Sequence, residues 1–320
     1  MKAMTLNAKS GPEGLTLAEL PQPQPGDGEV LVRVHATAIT PTELQWQPTF
    51  TARSGQPRPF PIVLSHEFSG VIAEVCGDAG DFAVGDEVYG MNDWFSNGAQ
   101  AEYCVAPATM IAPKPRSLDH AQAAVVPISA LTAWQALMVR SRLGQGQTIL
   151  IHGAAGAVGL FAVQIARDAG ARVIATASAS KREWIKSLGA NEFIDYHATR
   201  FEDVLREVDV IFDTQGGETL ARSWSVLKPG GSLVTIAAQS EQATDCRTRE
   251  AFMLVEANRG QLSAISSIID HRRCKVFVAA EFPLAMASEA YAAAARGGRG
   301  KTVLDVVSAA VATPVASFRP

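Results

Sequence analysis

Cysteine is scarce in this sequence, and the cysteines that it has are not grouped. The 320 residues contain four cysteines, and no two of them have the Cys-x-x-Cys spacing. Structural zinc sites and redox-active dithiols use that spacing, and disulfide-stabilised secreted proteins are short and rich in cysteine. We therefore predict neither a disulfide framework nor a four-cysteine zinc site among Cys76, Cys104, Cys246 and Cys274.

The sequence also lacks a block of like charges. Its formal net charge at pH 7 is -4, and no long run of basic or of acidic residues is present. A protein that binds the phosphate backbone of a nucleic acid needs a basic surface, which this balance does not provide. We therefore expect no nucleic-acid partner.

No apolar segment is typical of a secretion signal or of a membrane helix. Residues 1–17 mix charged residues with glycine and proline and contain no apolar core, so we expect a cytoplasmic location. Two uncharged stretches, Ala121–Val139 and Thr148–Ala166, approach the roughly 20 residues that span a bilayer. Pro127 interrupts the first stretch and clustered glycines interrupt the second, so we predict a soluble core and no membrane association.

The middle of the chain alternates between short β-branched runs and helical stretches. With 47% hydrophobic residues, the chain can bury the cores of roughly two domains. The alternation predicts βαβ units around a doubly wound parallel sheet, which is an α/β fold. The predicted strands are Thr148–His152, Arg172–Thr176, Glu192–Asp195, Asp209–Phe212 and Ser232–Ala237, and the predicted helices are Gly156–Ala169, Lys181–Leu188, Phe201–Glu207 and Glu218–Leu227.

The first third of the chain has a different pattern. Val30, Val32 and Val34 alternate with their neighbours, and turns follow at short intervals, which predicts a separate antiparallel or barrel-like β domain. After residue 252 we predict a helix over Leu262–Asp270, a strand over Lys275–Ala280, a helix over Ala285–Ala295 and a strand over Thr302–Val307.

A glycine-rich turn joins the first predicted α/β strand to the following helix. Gly153, Gly156 and Gly159 have the spacing G-x-x-G-x-x-G, a variant of the dinucleotide fingerprint. Gly153 can form the tight turn, Gly156 lets the backbone approach a pyrophosphate, and Gly159 allows close helix packing. We predict a dinucleotide site at Gly153, Ala155, Gly156, Ala157, Val158 and Gly159.

The end of the second α/β strand predicts the kind of dinucleotide. An acidic residue there would bind the ribose 2'-hydroxyl of NAD, and none is present. Ser178, Lys181 and Arg182 stand there instead, and they suit a 2'-phosphate. We therefore predict NADPH as the cofactor, while the two cations could instead be the solvated first turn of the next helix.

Several segments resemble the quinone-oxidoreductase branch of the medium-chain dehydrogenase/reductase superfamily. They occur in the family's order over nearly the whole chain and are more specific together than the glycine turn alone. They are Phe82-Ala-Val-Gly-Asp-Glu-Val88, Gly98-Ala-Gln-Ala-Glu-Tyr103, Leu131-Thr-Ala-Trp-Gln-Ala-Leu137, the glycine turn, Leu227-Lys-Pro-Gly-Gly231 and Gly300-Lys-Thr-Val-Leu304.

The resemblance implies a domain plan, an assembly and further cofactor contacts. It implies a GroES-like β-barrel domain from residues 1–122, a Rossmann domain over 123–256, and a segment, 257–320, that returns to the first domain. It also implies a homodimer or homotetramer. The residues that match the family's 2'-phosphate contacts are Ser178, Lys181 and Tyr196, although a tyrosine after a strand is often half-buried packing.

The metal ligands of zinc-dependent relatives have no full counterpart. Thr40 stands where those relatives have their cysteine ligand, and a hydroxyl is not a normal zinc ligand. His66 and Glu67 retain the next motif, with Ser65 in place of its glycine, and the third position falls near Ile128. We therefore predict no zinc, with His66 as a hydrogen-bonded residue and Glu67 as a structural or ionic partner.

Without a metal, reduction of an activated acceptor is easier than oxidation of an alcohol. We predict hydride transfer from NADPH to a quinone or an α,β-unsaturated carbonyl compound. The alternatives are an alcohol dehydrogenase or ketoreductase with an unusual metal site, and a non-catalytic, crystallin-like NADPH-binding protein. The candidate catalytic residues are Thr40, His66 and Thr132, with Thr42 and Asn92 near the substrate and Trp46, Phe50 and Trp94 as aromatic walls.

Overall fold

The computed structural model describes residues 1–307, which form two units by their internal contacts. The β unit contains Met1–Pro127, Ala257–Ser263 and the described residues from 277 onward. The nucleotide unit contains Ile128–Glu256 and Ala264–Val276. The segment predicted to return as one piece is therefore shared between the units, and its residues 308–320 lie outside the described part.

The β unit is built from a small and a large sheet. The small sheet has the order β2-β1-β4, and the large one has the order β14-β15-β3-β5-β6-β8, with β7 also paired to β3. Numbered along the chain, the strands are β1 Lys2–Leu6, β2 Leu15–Glu19, β3 Glu29–Ala38, β4 Ile62–Val63, β5 Glu67–Cys76, β6 Glu87–Met91, β7 Tyr103–Pro107, β8 Ile111–Pro113, β14 Val278–Pro283 and β15 Lys301–Asp305.

Strand β3 forms the centre of the large sheet because its valines alternate toward a core. Val30, Val32 and Val34 are buried in one cluster with Phe68 and Ile72 of β5, as the alternation predicts. All strand pairs of this sheet are antiparallel except β14 with β15. Helices α1 Gln47–Phe50, α2 His120–Ala124 and α10 Ala287–Ala295 also belong to this unit.

The nucleotide unit contains one parallel sheet of five strands in the order β11-β10-β9-β12-β13. This is the doubly wound order, with the chain reversing direction beside β9, and it confirms the predicted α/β fold. The strands are β9 Thr148–His152, β10 Arg172–Ala177, β11 Glu192–Asp195, β12 Val208–Asp213 and β13 Leu227–Thr235.

Helices alternate with the strands of this sheet along the chain, and two of them end beside a glycine with positive φ. Gly170 and Gly189 have φ values of +76° and +120°, beyond the ends of α4 and α5. The helices are α3 Pro127–Trp134, continued by a π-helical turn at Gln135–Arg140, α4 Ala157–Asp168, α5 Arg182–Leu188, α6 Phe201–Val204, α7 Gly217–Ser223, α8 Cys246–Ala251 and α9 Arg259–Asp270, whose first residues are assigned to the β unit.

Two predicted strands begin more than one residue away from the start that the structure shows. Strand β13 begins at Leu227, five residues before the prediction, because Leu227 pairs with Val208 and the next pair is Ser232 with Val210. The residues between form a bulge inside the strand rather than a turn before it. Strand β14 begins at Val278 rather than Lys275.

The helix predicted over Glu218–Leu227 ends at Ser223. Among the described residues, no helix is long and apolar enough to span a membrane. The two uncharged stretches are divided, the first among α2, α3 and the π-helical turn, the second between β9 and α4.

Candidate functional site

The glycine turn between β9 and α4 leaves no room for a side chain at Gly153 or at Gly159. Gly153 has a φ of +72°, and a Cβ there would overlap the side chains of Thr214 and Gln215. A Cβ on Gly159 would overlap the Gly153 carbonyl oxygen and come within 2.7 Å of the Ala154 Cα. Gly153 therefore forms the predicted tight turn, and Gly159 lets the helix begin directly against that turn.

The N-terminus of α4 is open to an anion. Gly156 is the N-cap of this 12-residue helix, no side chain caps it, and the glycine itself is exposed. The N–H groups of Ala157, Val158 and Gly159 lie in the first turn, where a helix offers no carbonyl partner. Uncapped N–H groups and a favourable helix dipole bind phosphate, so these residues fit the pyrophosphate of a dinucleotide.

The segment after β10 carries hydroxyl and cationic side chains. The Ser178 Oγ lies 3.3 Å from the Ser180 Oγ, and Ser178 is half-buried. The Lys181 Nζ lies 5.8 Å from the centre of the Trp184 ring, and the Arg182 guanidinium lies 4.7 Å from that of Phe193. The segment thus presents hydroxyls and positive charge at the end of the strand, without a carboxylate between residues 177 and 182.

A cavity of about 250 Å³ opens beside the glycine turn, within the nucleotide unit. Tyr196 lies on its rim, 58% exposed, with its ring centre 4.2 Å from that of His197. Two cations that the sequence did not single out, Arg200 and Arg222, also line the cavity. Its lining further includes His152, Gly153, Thr176, Ile194, Thr199, Phe201, Gln215 and Thr219.

His152, directly before the turn, is buried and held from both sides. Its Nδ1 lies 3.0 Å from the Thr176 Oγ1, and its Nε2 lies 3.1 Å from the Ser223 Oγ. Because the Ser223 hydroxyl donates to the Thr219 carbonyl, it accepts from Nε2–H, and Thr176 donates to Nδ1. Burial, aided by the nearby Arg222 charge, lowers the pKa of His152 to about 3, so the ring is neutral at neutral pH.

In the β unit, Thr40 lies beside a buried ion pair. The Lys301 ammonium donates to the Thr40 Oγ1 at 2.9 Å and is paired with the Glu67 carboxylate. Glu67 is fully buried and Lys301 is 9% exposed, whereas Thr40 is half-buried. A cation of the protein itself therefore holds the hydroxyl that stands in the position of a metal ligand.

His66 is buried between two oxygen acceptors. Its Nδ1 lies 2.7 Å from the Glu43 carboxylate, and its Nε2 lies 3.2 Å from the Ser96 carbonyl oxygen. The Ser65 N–H donates to both oxygens of the same carboxylate, at 2.8 and 3.0 Å. Both ring nitrogens of His66 thus face oxygen atoms of the protein, so neither is directed at an open position for a metal or a substrate.

Ser65 connects this pair to a second buried network. It has a φ of +65°, which is unfavourable for a residue with a Cβ, at the position where the family motif has glycine. Its hydroxyl accepts from the Gln100 Nε2 at 2.8 Å, and the same amide lies 3.0 Å from the Tyr291 hydroxyl. Burial and the nearby Glu43 carboxylate raise the pKa of Tyr291 well above its ordinary value. The hydroxyl thus gives Ser65 buried partners that a glycine would lack.

The remaining candidates are placed in different surroundings. The Trp94 ring lies 5.1 Å from that of Trp46 and 5.3 Å from that of His66, so these three side chains form one cluster. Phe50 instead packs against a core cluster of the β unit. In the nucleotide unit, the Thr132 hydroxyl donates to the Ile128 carbonyl at 2.6 Å, so its proton is committed to its own helix.

Asn92 and Thr42 differ sharply in burial. The Asn92 side chain is 1% exposed and donates to the Asn97 carbonyl at 2.8 Å, which shapes the loop before Gly98. Thr42 is exposed. The Asn92 backbone N–H also donates to the His66 carbonyl oxygen, at 3.2 Å.

The donor groups of the β unit do not fit a zinc ion. The Thr40 hydroxyl already accepts from an ammonium group, whose charge would repel a metal, and both His66 nitrogens face acceptors. Among the described residues, no group of three or more histidine, cysteine, aspartate or glutamate side chains is arranged to hold a metal ion.

Several buried residues of the two units were missed from the sequence. Lys301 was noticed only as part of a family segment, and Glu43 only as part of the altered cysteine motif. The available signal for Lys301 was a charged residue at the start of an apolar strand, and for His152 a polar residue at the end of one. Neither signal identifies the residues with which Lys301 and His152 form hydrogen bonds, because those residues lie far away in the sequence.

Comparison with known proteins gives the family. The alcohol dehydrogenase GroES-like domain family matches residues 26–116, and the zinc-binding dehydrogenase family matches residues 188–304. A probable mitochondrial zinc-binding oxidoreductase of Arthroderma benhamiae is 32% identical over 317 residues, which cover 92% of this chain and 93% of that protein.

A chloroplastic NADPH-dependent alkenal/one oxidoreductase of Arabidopsis thaliana is 31% identical over 304 residues, which cover 91% of this chain and 75% of that protein. The solved structure of the quinone oxidoreductase from Coxiella burnetii superposes with a TM-score of 0.87 at 28% identity, covering 96% of this chain and 99% of that one.

These matches confirm the GroES-like and Rossmann-like domains expected from the resemblance. Two of the matched names include zinc, whereas the donor groups described above do not fit it. The chain is an oxidoreductase, and it belongs to the quinone-oxidoreductase branch of the medium-chain dehydrogenase/reductase superfamily.

Proposed function

We propose that this protein is an NADPH-dependent reductase of quinones or α,β-unsaturated carbonyl compounds that works without zinc. The observation that carries the proposal is the glycine turn together with the end of β10, where Ser178 and Lys181 follow the strand and no carboxylate is present. The Arabidopsis and Coxiella relatives, named for NADPH-dependent alkenal/one and quinone chemistry, support the same assignment.

In this proposal the nucleotide unit binds the cofactor through three features. The N–H groups at the start of α4 bind the pyrophosphate, and the exposed N-cap glycine, Gly156, lets it approach the backbone. Ser178 and Lys181 bind the 2'-phosphate, with Tyr196 beside them at the cavity rim. When bound, NADPH supplies a hydride for the acceptor.

The β unit has groups suited to polarising an acceptor carbonyl. The Thr40 hydroxyl is half-buried and held by Lys301, so it can donate to an oxygen that gains negative charge. Trp46 and Trp94 form an apolar wall beside His66, which suits a planar quinone or enone. His66 then helps to fix the wall and the loop of Ser96, rather than acting as a base.

Cofactor preference tests the proposal. We expect oxidation of NADPH in the presence of 1,4-naphthoquinone or 2-cyclohexen-1-one, and much slower oxidation of NADH at equal concentration. In Lys181→Met, the KM for NADPH should rise about tenfold or more, because a charge-assisted contact of about 1.5–3 kcal/mol is lost. The KM for NADH should stay unchanged, since NADH has no 2'-phosphate.

The matched control is Lys186→Met, which removes an exposed lysine at the other end of the same helix. It should leave both KM values unchanged. A preference for NADH in the native enzyme would overturn the role of Ser178 and Lys181. Tight NADPH binding without oxidation by any acceptor would favour the non-catalytic alternative.

Two further expectations belong to this proposal. The first is a cytoplasmic location, although the Arthroderma relative carries a mitochondrial name. The second is assembly as a homodimer or homotetramer, which light scattering of the purified protein would decide.

A further inference from the structure

The hydrogen bonds around Thr40 define which way its hydroxyl proton points. An ammonium group can only donate, so Lys301 occupies one lone pair of the Thr40 Oγ1. Thr40 also begins a short helical turn without capping it through its side chain. Within residues 1–307, the Thr40 hydroxyl donates to no group, and its proton remains available on the half-buried side.

The backbone holds Lys301 and Thr40 in fixed register. Strand β15 pairs with β3, and the Ile39 N–H donates to the Thr302 carbonyl at 2.9 Å. Ile39 directly precedes Thr40, and Thr302 directly follows Lys301. Gly300 has a φ of +110°, and a Cβ there would overlap the Phe277 carbonyl oxygen, so only glycine fits before Lys301. The contact between Nζ and the hydroxyl is therefore set by the strand pairing.

Glu67 completes the arrangement. Its fully buried carboxylate neutralises the Lys301 charge, which would otherwise be costly to bury. A hydroxyl that accepts a hydrogen bond from a cation becomes a stronger donor through its own proton, because the bonds polarise one another. The three groups form a chain from carboxylate to ammonium to hydroxyl.

We infer that the Lys301–Glu67 pair is a positioning device that makes Thr40 a directed hydrogen-bond donor to the carbonyl oxygen of the acceptor. This inference rests on the proposed reduction of a quinone or enone. In an enone, the hydride that NADPH would supply breaks its C4–H bond, leaving NADP⁺, and forms a C–H bond at the β-carbon, while the C=C electron pair shifts toward the carbonyl to give an enolate. The oxygen becomes an enolate oxygen that Thr40 stabilises, and the α-carbon then takes a proton from water.

A double-mutant cycle separates positioning from a merely structural role. The changes are Thr40→Val, which removes the hydroxyl at nearly constant shape, and Lys301→Met with Glu67→Gln, which removes both charges together. With 2-cyclohexen-1-one, we expect Thr40→Val to lower kcat about 100-fold, as for a lost oxyanion donor. The neutralised pair should lower kcat about tenfold, and the triple variant should be no slower than Thr40→Val, because Lys301 acts only through Thr40.

A carbonyl vibration gives a readout that does not depend on turnover. The infrared stretch of 2-cyclohexen-1-one labelled with ¹³C at its carbonyl is measured in the complex with the enzyme and NADP⁺. Donation from Thr40 should lower this frequency in the native enzyme and in Thr40→Ser, which keeps the hydroxyl. The shift should be lost in Thr40→Val and reduced in the neutralised pair.

Two variants guard against effects on folding. Lys301→Arg keeps a buried cation for Glu67, but its planar fork presents a different donor geometry, so kcat should fall while the unfolding temperature stays near that of the native enzyme. The matched control is Lys228→Met with Asp209→Asn, which removes a lysine–aspartate pair in the nucleotide unit. It should leave kcat and the carbonyl frequency unchanged.

The outcomes distinguish this inference from the proposed function. If the native enzyme turns over neither acceptor, the proposed function falls and this inference falls with it. If it does turn them over, multiplicative losses in the triple variant, or an unchanged carbonyl frequency in Thr40→Val, would overturn the inference alone. The same holds if Lys301→Arg retains native kcat.

Discussion

The two units of this protein prepare their sites in different ways. In the nucleotide unit, the proposed ligand groups are backbone N–H groups at the start of α4, and the tight packing at Gly153 and Gly159 holds the turn before them in place. In the β unit, the proposed ligand groups are the Thr40 hydroxyl and the Trp46–Trp94 wall, and buried side-chain pairs support them, namely Glu67 with Lys301 and Glu43 with His66. One site depends on backbone shape, and the other depends on the balance of buried charge.

This difference predicts where each unit is vulnerable. A backbone site is damaged by adding atoms, because a Cβ meets the turn itself. A site of buried ion pairs is damaged by removing atoms, because the partner is left charged and without compensation.

The largest effect should come from breaking the Lys301–Glu67 pair on one side. Lys301→Met leaves the Glu67 carboxylate fully buried and unpaired, so the free energy of unfolding should fall by about 3–5 kcal/mol. Lys301→Met combined with Glu67→Gln should lose much less, since no charge remains. Urea unfolding of both variants measures the difference, and equal losses would contradict the account of a charge-balanced site.

The nucleotide unit should respond to acid through His152. Burial lowers its pKa from the ordinary 6.5 to about 3 in the folded protein. Between these two pH values, the histidine is protonated in the unfolded chain but not in the folded one. Its contribution to stability is complete above pH 6.5 and is lost as the pH falls from 6.5 toward about 3.

Replacing this histidine isolates its contribution. As the pH falls from 6.5 toward about 3, the free energy of unfolding of His152→Gln should decrease less steeply than that of the native protein. The difference in slope should be up to about 1.4 kcal/mol for each pH unit. Unfolding of the native and variant enzymes is compared at a series of pH values. If the unfolding free energies of the two enzymes depend on pH in the same way, His152 has the same pKa in the folded and unfolded states, and the prediction is wrong.

The smallest effect on stability should come from the glycine turn, with a separate effect on the cofactor. Gly153→Ala and Gly146→Ala both place a Cβ at positive φ, +72° and +80°, so the backbone strain alone should cost each about 1–2 kcal/mol of stability. Gly146 has open space around it, whereas a Cβ on Gly153 meets Thr214 and Gln215.

Fluorescence titration with NADPH should separate these two variants. Only Gly153→Ala should bind NADPH more weakly, by about tenfold or more, because only that glycine shapes the cofactor turn. Equal affinities in the two variants would contradict the role of the Gly153 turn.

The nucleotide unit was predictable because its signals are local. Strand β9, the glycine turn and α4 occupy 21 consecutive residues, from Thr148 to Asp168, and each is indicated by its own residue types. The prediction failed at β13, where Pro229, Gly230 and Gly231 look like a turn but lie in a bulge. Only the pairing with β12 decides between these two outcomes.

The β-unit site was predictable only in part because its partners are distant in sequence. Thr40 and His66 were identified from motif positions, but Lys301 lies 261 residues from Thr40, and Tyr291 lies 191 residues from Gln100. No local pattern encodes such a pairing. Ser65 was recognised as a departure from the motif, but its buried hydrogen bond with Gln100 became visible only in the fold.

We propose a reductase that binds NADPH through the backbone N–H groups at the start of α4 and that uses no zinc. Oxidation of NADPH by 1,4-naphthoquinone, before and after exhaustive dialysis against EDTA, tests it most directly. The account predicts the same rate in both samples and no increase when zinc is added. Loss of turnover on dialysis, with recovery on adding zinc, would contradict it.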